Sequence, residues 1–141
     1  MIRYQSVLLS LSVLLLCLCG CPASSGNIGA VVGVVTLDGV PIEGATVRFY
    51  PTSGLRGSSG KTDENGRYEL RYTRSEKGAT IGDHKVTIST EVVADNYEPE
   101  NAVEARKETI PRKYLDRKKT ELSATVESGS NTCNFDIKSS D

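Results

Sequence analysis

The sequence predicts an all-β protein, an antiparallel Greek-key sandwich of about seven strands. From Gly29 onward, apolar and polar residues alternate with a period of two, as they do in strands that have one buried and one wet face. Short glycine-bearing turns separate these runs. The length of 141 residues leaves room for one domain. Closely spaced strands with such turns are typical of sandwiches.

Each predicted strand is marked by apolar residues that share one phase. The sets are Ala45, Val47 and Phe49; Tyr68, Leu70 and Tyr72; Val86 and Ile88; Leu122, Ala124 and Val126; and Cys133, Phe135 and Ile137. Between the apolar residues of the third set, Lys85, Thr87 and Ser89 are expected to point outward. Residues 29–37 are apolar in both phases, which predicts that at least part of both faces of this strand is covered.

Turn residues fall between these runs. Asp38-Gly39, Asn65-Gly66 and the segment 128–131 are suited to hairpins or tight reversals. The stretch 63–66 resembles the start of a calcium loop, but the twelfth position of such a loop would be Arg74 instead of the closing glutamate. We therefore expect Asp63 to hydrogen-bond its own turn.

Residues 1–20 have the pattern of a secretory signal peptide. One positive charge, Arg3, precedes an apolar run over 7–18, and small residues follow. The run has about a dozen residues, too few for a helix that crosses a ~30 Å hydrocarbon core.

The residues that follow resemble the lipobox of bacterial lipoproteins: Leu18-Cys19-Gly20-Cys21. That resemblance implies cleavage before Cys21, alkylation of its thiol with diacylglycerol and acylation of the new amino terminus. Residues 21–28 would then form a lipidated tether, holding the protein at a membrane so that it faces the periplasm or the cell surface. The alternative is an ordinary signal peptide that leaves Cys21 as a normal thiol.

The segment 91–112 breaks the strand pattern, because acidic residues occur there with few large apolar ones. We interpret it as a long surface excursion between strands, with a possible helical turn over 102–108; an excursion of this length is functional or mobile. A basic run follows at Arg112, Lys113 and 117–119. It is either a solvated surface or a contact for anionic lipid or wall polymer.

Two blocks of the sequence resemble carboxypeptidase regulatory-like domains, which have a transthyretin-like fold related in architecture to immunoglobulin-like sandwiches. Residues 33–49 match the opening strand, glycine turn and Pro-x-x-Gly-Ala return, and 62–70 match the second turn and strand. Residues 110–114 and 131–137 look like a lipoprotein branch found in planctomycete-type bacteria. The resemblance covers 29–138, which we take as the domain, with 139–141 as a tail. It implies an accessory module.

Residues that carry chemistry are scarce. The 17 Lys and Arg nearly balance the 18 Asp and Glu, so no basic field favours nucleic acid. The single histidine, His84, is expected to be structural and at a sheet edge, and Cys133 to be a small buried hydrophobe. One histidine and one remaining thiol cannot form a zinc cluster. Neither a Gly-x-Ser-x-Gly elbow nor the C-terminal Tyr-Arg-Gly-Ser motif of 5-hydroxyisourate hydrolases is present. We expect no catalytic residue, metal or cofactor.

The sequence thus favours a lipid-anchored, non-enzymatic module of the bacterial cell envelope with a binding or structural role, monomeric and in contact with a membrane through its N-terminal lipid. An envelope protein or a glycan is the expected further partner. The alternative is recognition of carbohydrate or envelope polymer through residues 91–119, with Tyr97 and Tyr114 as candidate ligand-binding aromatics beside Tyr50. A hydrolase of unrecognised type is a third, weaker alternative.

Overall fold

The computed structural model describes residues 27–91 and 107–139. Within them the fold is all-β, as predicted, with a single 3-10 helix at Arg112–Tyr114. The strands are β1 (Ile28–Leu37), β2 (Val40–Pro41), β3 (Thr46–Pro51), β4 (Ser58–Lys61), β5 (Arg67–Glu69), β6 (Ala79–Thr80), β7 (Gly82–Ser89), β8 (Ser123–Val126), β9 (Ser130–Thr132) and β10 (Phe135–Ile137).

The first sheet is built around β1, the longest strand. Its successive stretches pair antiparallel with β6, β5 and β2 along one edge. Along the other edge they pair with β9 and then β10, and both of these strands run parallel to β1. These two pairings are an exception within the predicted antiparallel sandwich, because the chain crosses from the other sheet between β8 and β9 instead of reversing in a hairpin.

The second sheet is antiparallel, in the order β4-β3-β7-β8. The two sheets face each other without closing into a barrel, and a bridge between Ser59 and Arg71 links them at one corner. Since β2, β5 and β6 share one edge of β1 and β9 and β10 the other, the ten short strands occupy seven strand positions in all. The predicted sandwich of about seven strands is confirmed in this sense.

The core lies between the sheets and consists of the apolar phase of each strand. Val31 and Val35 of β1 face Val47 and Phe49 of β3 together with Val86 and Ile88 of β7; the remaining large members are Leu70, Val126, Phe135 and Ile137. The predicted buried phases are therefore confirmed, although Leu122, Ala124 and Cys133 are only partly buried at its margin.

The Tyr68 side chain lies across β1 at Gly33. Its hydroxyl donates a 2.6 Å hydrogen bond to the carbonyl of Cys133 on the far edge of the strand. A Cβ at Gly33 would lie 1.8 Å from that carbonyl oxygen and 2.9 Å from the Tyr68 ring, so only glycine fits. Burial raises the pKa of the Tyr68 hydroxyl above its ordinary value.

Local turn chemistry follows the sequence closely. Asp38 and Gly39 have φ angles of 52° and 83°, the pair of positive values that a type I′ hairpin between β1 and β2 requires. Asp63 Oδ1 accepts hydrogen bonds of 2.9 Å from the amides of Asn65 and Arg67, so this side chain stabilises its own turn, as predicted.

Three expectations need correction or refinement. His84 is not at a sheet edge, since β7 lies between β3 and β8. Thr87 has the outward phase but is buried, because the outer face of β7 is covered at that point and the 3-10 helix contacts this strand. The predicted partial cover of the outer phase of β1 is confirmed at Val34, which is half-buried, whereas Val32 is 43% exposed.

The two ends of the sandwich differ in what leaves them. We call the end at which the described chain begins, at Asn27, the tether end. At the opposite end, here called the excursion end, the chain departs after β7 at Glu91 and is described again from Lys107. The Asp38-Gly39 hairpin and the Asp63 turn also lie at the excursion end, because β1 finishes there and β3 begins there.

Candidate binding surface

Of the three site residues predicted from the sequence, only Tyr114 lies among the described residues. Cys21 and Tyr97 lie outside the described residues, as does most of the predicted helical turn over 102–108. Tyr114 ends the 3-10 helix and is 7% exposed, with its hydroxyl 3.5 Å from the amide nitrogen of Lys138. Its ring therefore packs in the core and offers no exposed surface to a ligand. Of the two roles considered for Tyr114, ligand binding and core packing, the structure favours core packing.

The Glu108 carboxylate links the two chain segments that flank the excursion, the one that leaves β7 and the one that returns. Its oxygens accept hydrogen bonds from the Ser89 hydroxyl at 2.6 Å, the Thr90 hydroxyl at 2.7 Å, the Thr90 amide at 3.1 Å and the Ile110 amide at 2.9 Å. The donors come from the end of β7 and from the returning chain. Glu108 thus fastens the return segment to the sheet before the chain reaches the basic run.

The Glu108 carboxylate is ionised over nearly the whole pH range. Burial alone would raise its pKa, but the hydrogen bonds from Ser89, Thr90 and Ile110 favour the charged form more strongly and lower the pKa to about 2. Hydrogen bonds to an ionised acceptor are the strong ones in proteins. The hydrogen bonds of Glu108 therefore hold the two flanking segments of the excursion together.

Beyond this point the return segment places a cation over the second sheet. The Arg117 guanidinium lies 5.2 Å from the centroid of the Tyr50 ring, within the range of a cation–π contact. Tyr50 projects from the outer face of β3 and is directly opposite Lys85 on β7. Arg48, on the same face two residues earlier, is exposed, as is Lys85. We call Arg48, Tyr50, Lys85 and Arg117 the basic face.

The basic face combines positive charge with a flat aromatic surface. Side chains directly or diagonally opposite on neighbouring strands are about 5–8 Å apart, so the cations of Arg48 and Lys85 can act on one ligand with Arg117. The nearby carboxylate of Asp83 accepts a 2.6 Å hydrogen bond from the Thr125 hydroxyl at the β8 edge. Such an arrangement suits a carboxylate, sulfate or phosphate group carried on a larger molecule.

A second surface feature lies on the outer face of the first sheet. An open groove of about 500 Å³ runs over Val32 and Val34 and is bordered by Thr132, Asn134 and Glu69. Two of its polar borders are engaged: Asn134 Oδ1 accepts a 2.9 Å hydrogen bond from the Val34 amide, and the Glu69 carboxylate pairs with Lys77 at 2.8 Å. The exposed surface of the groove is mainly apolar, although Asp63 and Arg67 also line it.

His84 is enclosed in the core, at 2% exposure, with its ring 5.6 Å from that of Phe49. Because the Gly82 carbonyl can only accept, the Nδ1 atom 2.9 Å away must carry the proton. Nε2 is then left to accept from the Thr80 hydroxyl at 3.2 Å. Burial lowers the pKa of His84, against smaller opposing effects of Gly82 and Asp83, and the neutral ring is favoured. Both nitrogens are engaged, which is the structural role predicted.

Cys133 is half-buried beside the core, and burial raises the pKa of its thiol. It therefore lacks the thiolate character that a nucleophile needs. Among residues 27–91 and 107–139, no three His, Cys, Asp or Glu side chains are grouped so that they could hold a metal ion. In the same part of the chain, no helix has the length and apolarity needed to span a bilayer.

Comparison with known proteins yields no relative. No protein-family model, no curated protein and no solved structure matches this chain.

The sequence indicates two parts of the basic face separately, Tyr50 and the basic run 117–119. Nothing in the sequence shows that they are in contact, because a residue of β3 and one far along the chain are brought together only by the fold. Glu108 was one of several acidic residues in the excursion, and its role depends on hydroxyls and amides that the fold brings around it. A glutamate followed by Thr-Ile at the end of an otherwise unpatterned segment would have been the only available signal.

Proposed function

We propose that this protein is a lipid-anchored, non-enzymatic binding or structural module of the bacterial cell envelope, facing the periplasm or the cell surface. One observation carries the proposal: the sequence Leu18-Cys19-Gly20-Cys21 begins at the last residue of a short apolar run, and Cys21 lies seven residues before the start of β1. Membership in the carboxypeptidase regulatory-like group, with its transthyretin-like fold, belongs to the same proposal and is supported by the sandwich of seven strand positions.

The anchoring chemistry supports permanent attachment. A thioether at Cys21 cannot be reversed by reduction, and each buried methylene of an acyl chain adds ~0.8 kcal/mol to membrane binding. Two or three chains therefore hold a small domain at the bilayer without any contribution from the fold.

The non-enzymatic part of the proposal is supported by the state of the two most reactive side chains described. His84 has both ring nitrogens occupied inside the core, and the Cys133 thiol has a raised pKa. Neither is presented to a substrate in the form that acid–base or nucleophilic catalysis requires.

Metabolic labelling tests the anchor. A bacterium that expresses the full chain is fed an alkyne fatty acid, and the purified protein is coupled to a fluorophore. We expect label on the wild type and on the Cys19→Ser control, and none on Cys21→Ser. Mass spectrometry of the mature amino terminus should show Cys21 as its first residue. An unlabelled wild type with a free thiol at Cys21 would refute the proposal.

A second function, recognition of an anionic envelope polymer through the region 91–119, is favoured by the stacking of Arg117 on Tyr50 beside Lys85. Binding of the full chain to polygalacturonate, with neutral dextran as the reference polymer, tests it. Arg117→Ala removes one exposed ion pair with the polymer, and at ~1 kcal/mol this loss predicts about five-fold weaker binding. Arg74→Ala, an exposed arginine outside the basic face, is the matched control. Equal binding of both polymers would exclude this function.

A further inference from the structure

Two of the exposed large apolar side chains in the described residues lie at the same end of the sandwich. Four are exposed: Val40 at 66%, Leu55 at 60%, Val32 at 43% and Ile81 at 42%. Val32 lies in the groove of the first sheet and Val40 in the hairpin of the excursion end. Leu55 and Ile81 both belong to the tether end, where the loop after β3 and the link between β6 and β7 are found.

Hydrogen bonds tie these two segments to the point where the chain enters the sandwich. The Ile81 amide donates to the carbonyl of Asn27 at 2.9 Å. Two residues on, the Asp83 carbonyl accepts from the Thr52 amide at 2.9 Å and from its hydroxyl at 3.1 Å. Leu55 follows three residues after Thr52, beyond a tight turn at Gly54, whose φ is 80°. Ile81 is thus adjacent to the first described residue, and Leu55 belongs to a loop at the same end of the sandwich.

The charges at this end are small and mixed. Arg56 follows Leu55 directly and is exposed, and Glu127, at the end of β8, is exposed as well. Asp83, two residues after Ile81, is exposed too, so one positive and two negative charges are found here. The tether end therefore has no large net charge that would repel anionic or zwitterionic headgroups. A leucine and an isoleucine bordered by an arginine suit the boundary between headgroups and acyl chains, where apolar bodies and polar tips are both accommodated.

The length of the tether limits how far this end can stand from an anchor. Six peptide steps separate Cys21 from Asn27. At no more than ~3.6 Å each, they span at most about 22 Å. A domain of this size has a radius of gyration of about 13 Å, so the domain is wider than the tether is long. The side of the domain opposite Asn27 therefore cannot reach the lipid anchor. Held this close, a weak contact acts at high effective concentration and is sufficient to orient the domain.

We propose that the tether end, through Leu55 and Ile81, rests on the lipid surface and directs the excursion end away from the membrane. The proposal rests on the proposed lipid anchor and adds an orientation to it. The surface it names is the interfacial layer of a bilayer, and the occupant is the membrane that carries the anchor itself.

The absence of tryptophan from the chain gives a clean probe. Leu55→Trp and Ile81→Trp each place a single tryptophan at the tether end, and Val40→Trp, at a more exposed valine, is the matched control. Each full-length variant is expressed in a bacterium that processes lipoproteins and reconstituted into vesicles of phosphatidylcholine and phosphatidylglycerol. Brominated phosphatidylcholine serves as the quencher, and circular dichroism verifies that each variant is folded.

For both tether-end variants we expect a blue shift of emission on reconstitution and a loss of intensity with brominated lipid; Val40→Trp should show neither. Flotation of the vesicles reports the anchor separately. Protein that floats while its tether-end tryptophans stay unquenched overturns the contact and leaves the anchor intact. Equal quenching of Val40→Trp overturns the orientation. Protein that does not float overturns the anchor and this inference together.

Discussion

Each end of the sandwich contains one ionisable side chain that is hydrogen-bonded within the fold, and the two side chains differ in charge state. At the tether end, His84 is buried in the core and bonded to Thr80 and Gly82, and burial lowers its pKa. At the excursion end, Glu108 accepts hydrogen bonds from Ser89 and its neighbours, and its pKa is lowered to about 2. The histidine is favoured as a neutral ring, whereas the glutamate is favoured as an anion.

The difference shows how local partners decide what burial does. The hydrogen-bond partners of His84, the Gly82 carbonyl and the Thr80 hydroxyl, carry no formal charge, so they do not offset the cost of burying an imidazolium, and burial lowers the pKa. Around Glu108 every neighbour is a donor, so the negative charge is satisfied. One end therefore depends on the absence of a charge and the other on its presence, and four measurements can separate them.

The largest effect is expected from His84→Ala. The substitution removes a ring that packs on Phe49 in the core, and buried large-to-small changes of this kind cost about 3 kcal/mol in the free energy of unfolding. Urea denaturation measures it. Lys85→Ala, the exposed neighbour on the same strand, should stay within about 0.5 kcal/mol of the wild type. Equal values for the two variants would contradict the packing role of His84.

Glu108→Gln should cost about 2 kcal/mol, because charge-assisted hydrogen bonds to Ser89 and Thr90 become neutral ones and the amide nitrogen faces donors. The same denaturation experiment measures it, with the exposed Glu91→Gln as control. A loss confined to faster proteolysis of 91–109, with unchanged global stability, would indicate that the carboxylate holds only the excursion and not the second sheet.

Acid should act on the two ends in separate windows. The folded pKa of His84 lies below its ordinary value of 6.5, so the unfolded chain binds that proton first, and stability falls as the pH drops below about 6.5. Glu108 has a folded pKa of about 2 against 4.5, so its contribution is full above 4.5 and is lost between 4.5 and 2. Allowing for solvent screening, the second loss is about 1–2 kcal/mol.

Unfolding curves at a series of pH values resolve these windows. The first fall should be absent in His84→Leu, which cannot bind the proton. The second should be smaller in Glu108→Gln, where the Asp38 and Asp136 carboxylates, whose pKa values are also lowered by hydrogen bonds, still titrate. A first fall that persists in His84→Leu would assign it to another group and remove the contrast between the ends.

The fold was largely predictable because it follows from local signals. The period-two phases of Val47 and Phe49 or of Phe135 and Ile137 identify their buried faces, and Asp38-Gly39 specifies its own turn. Each depends on residues a few positions apart. The parallel pairing of β9 and β10 with β1 was not predictable in this way, since it joins residues about 100 positions apart.

The candidate surface was less accessible for the same reason. Tyr114 has the aromatic character of a ligand-binding residue, and only the packing of the return segment shows that its ring is buried. In the sequence, Arg117 is one residue of a basic run, and only the structure shows that its guanidinium lies over the Tyr50 ring. Thr87 has the phase of an exposed residue and is buried, on a strand that the distant 3-10 helix contacts.

The smallest effect is expected at the turn between β4 and β5, which tests whether the excursion end has a second fixed point besides Glu108. Asp63→Ala removes the acceptor for the amides of Asn65 and Arg67, and the loss of such an exposed side-chain cap costs about 1 kcal/mol. Glu64→Ala, the adjacent exposed carboxylate, is the control and should change little. Since the Asp63 turn and the Glu108 carboxylate share no hydrogen-bond partner, their effects should add in the double variant. A double variant that loses much less than the sum would show that the excursion end unfolds as one unit ahead of the sheets.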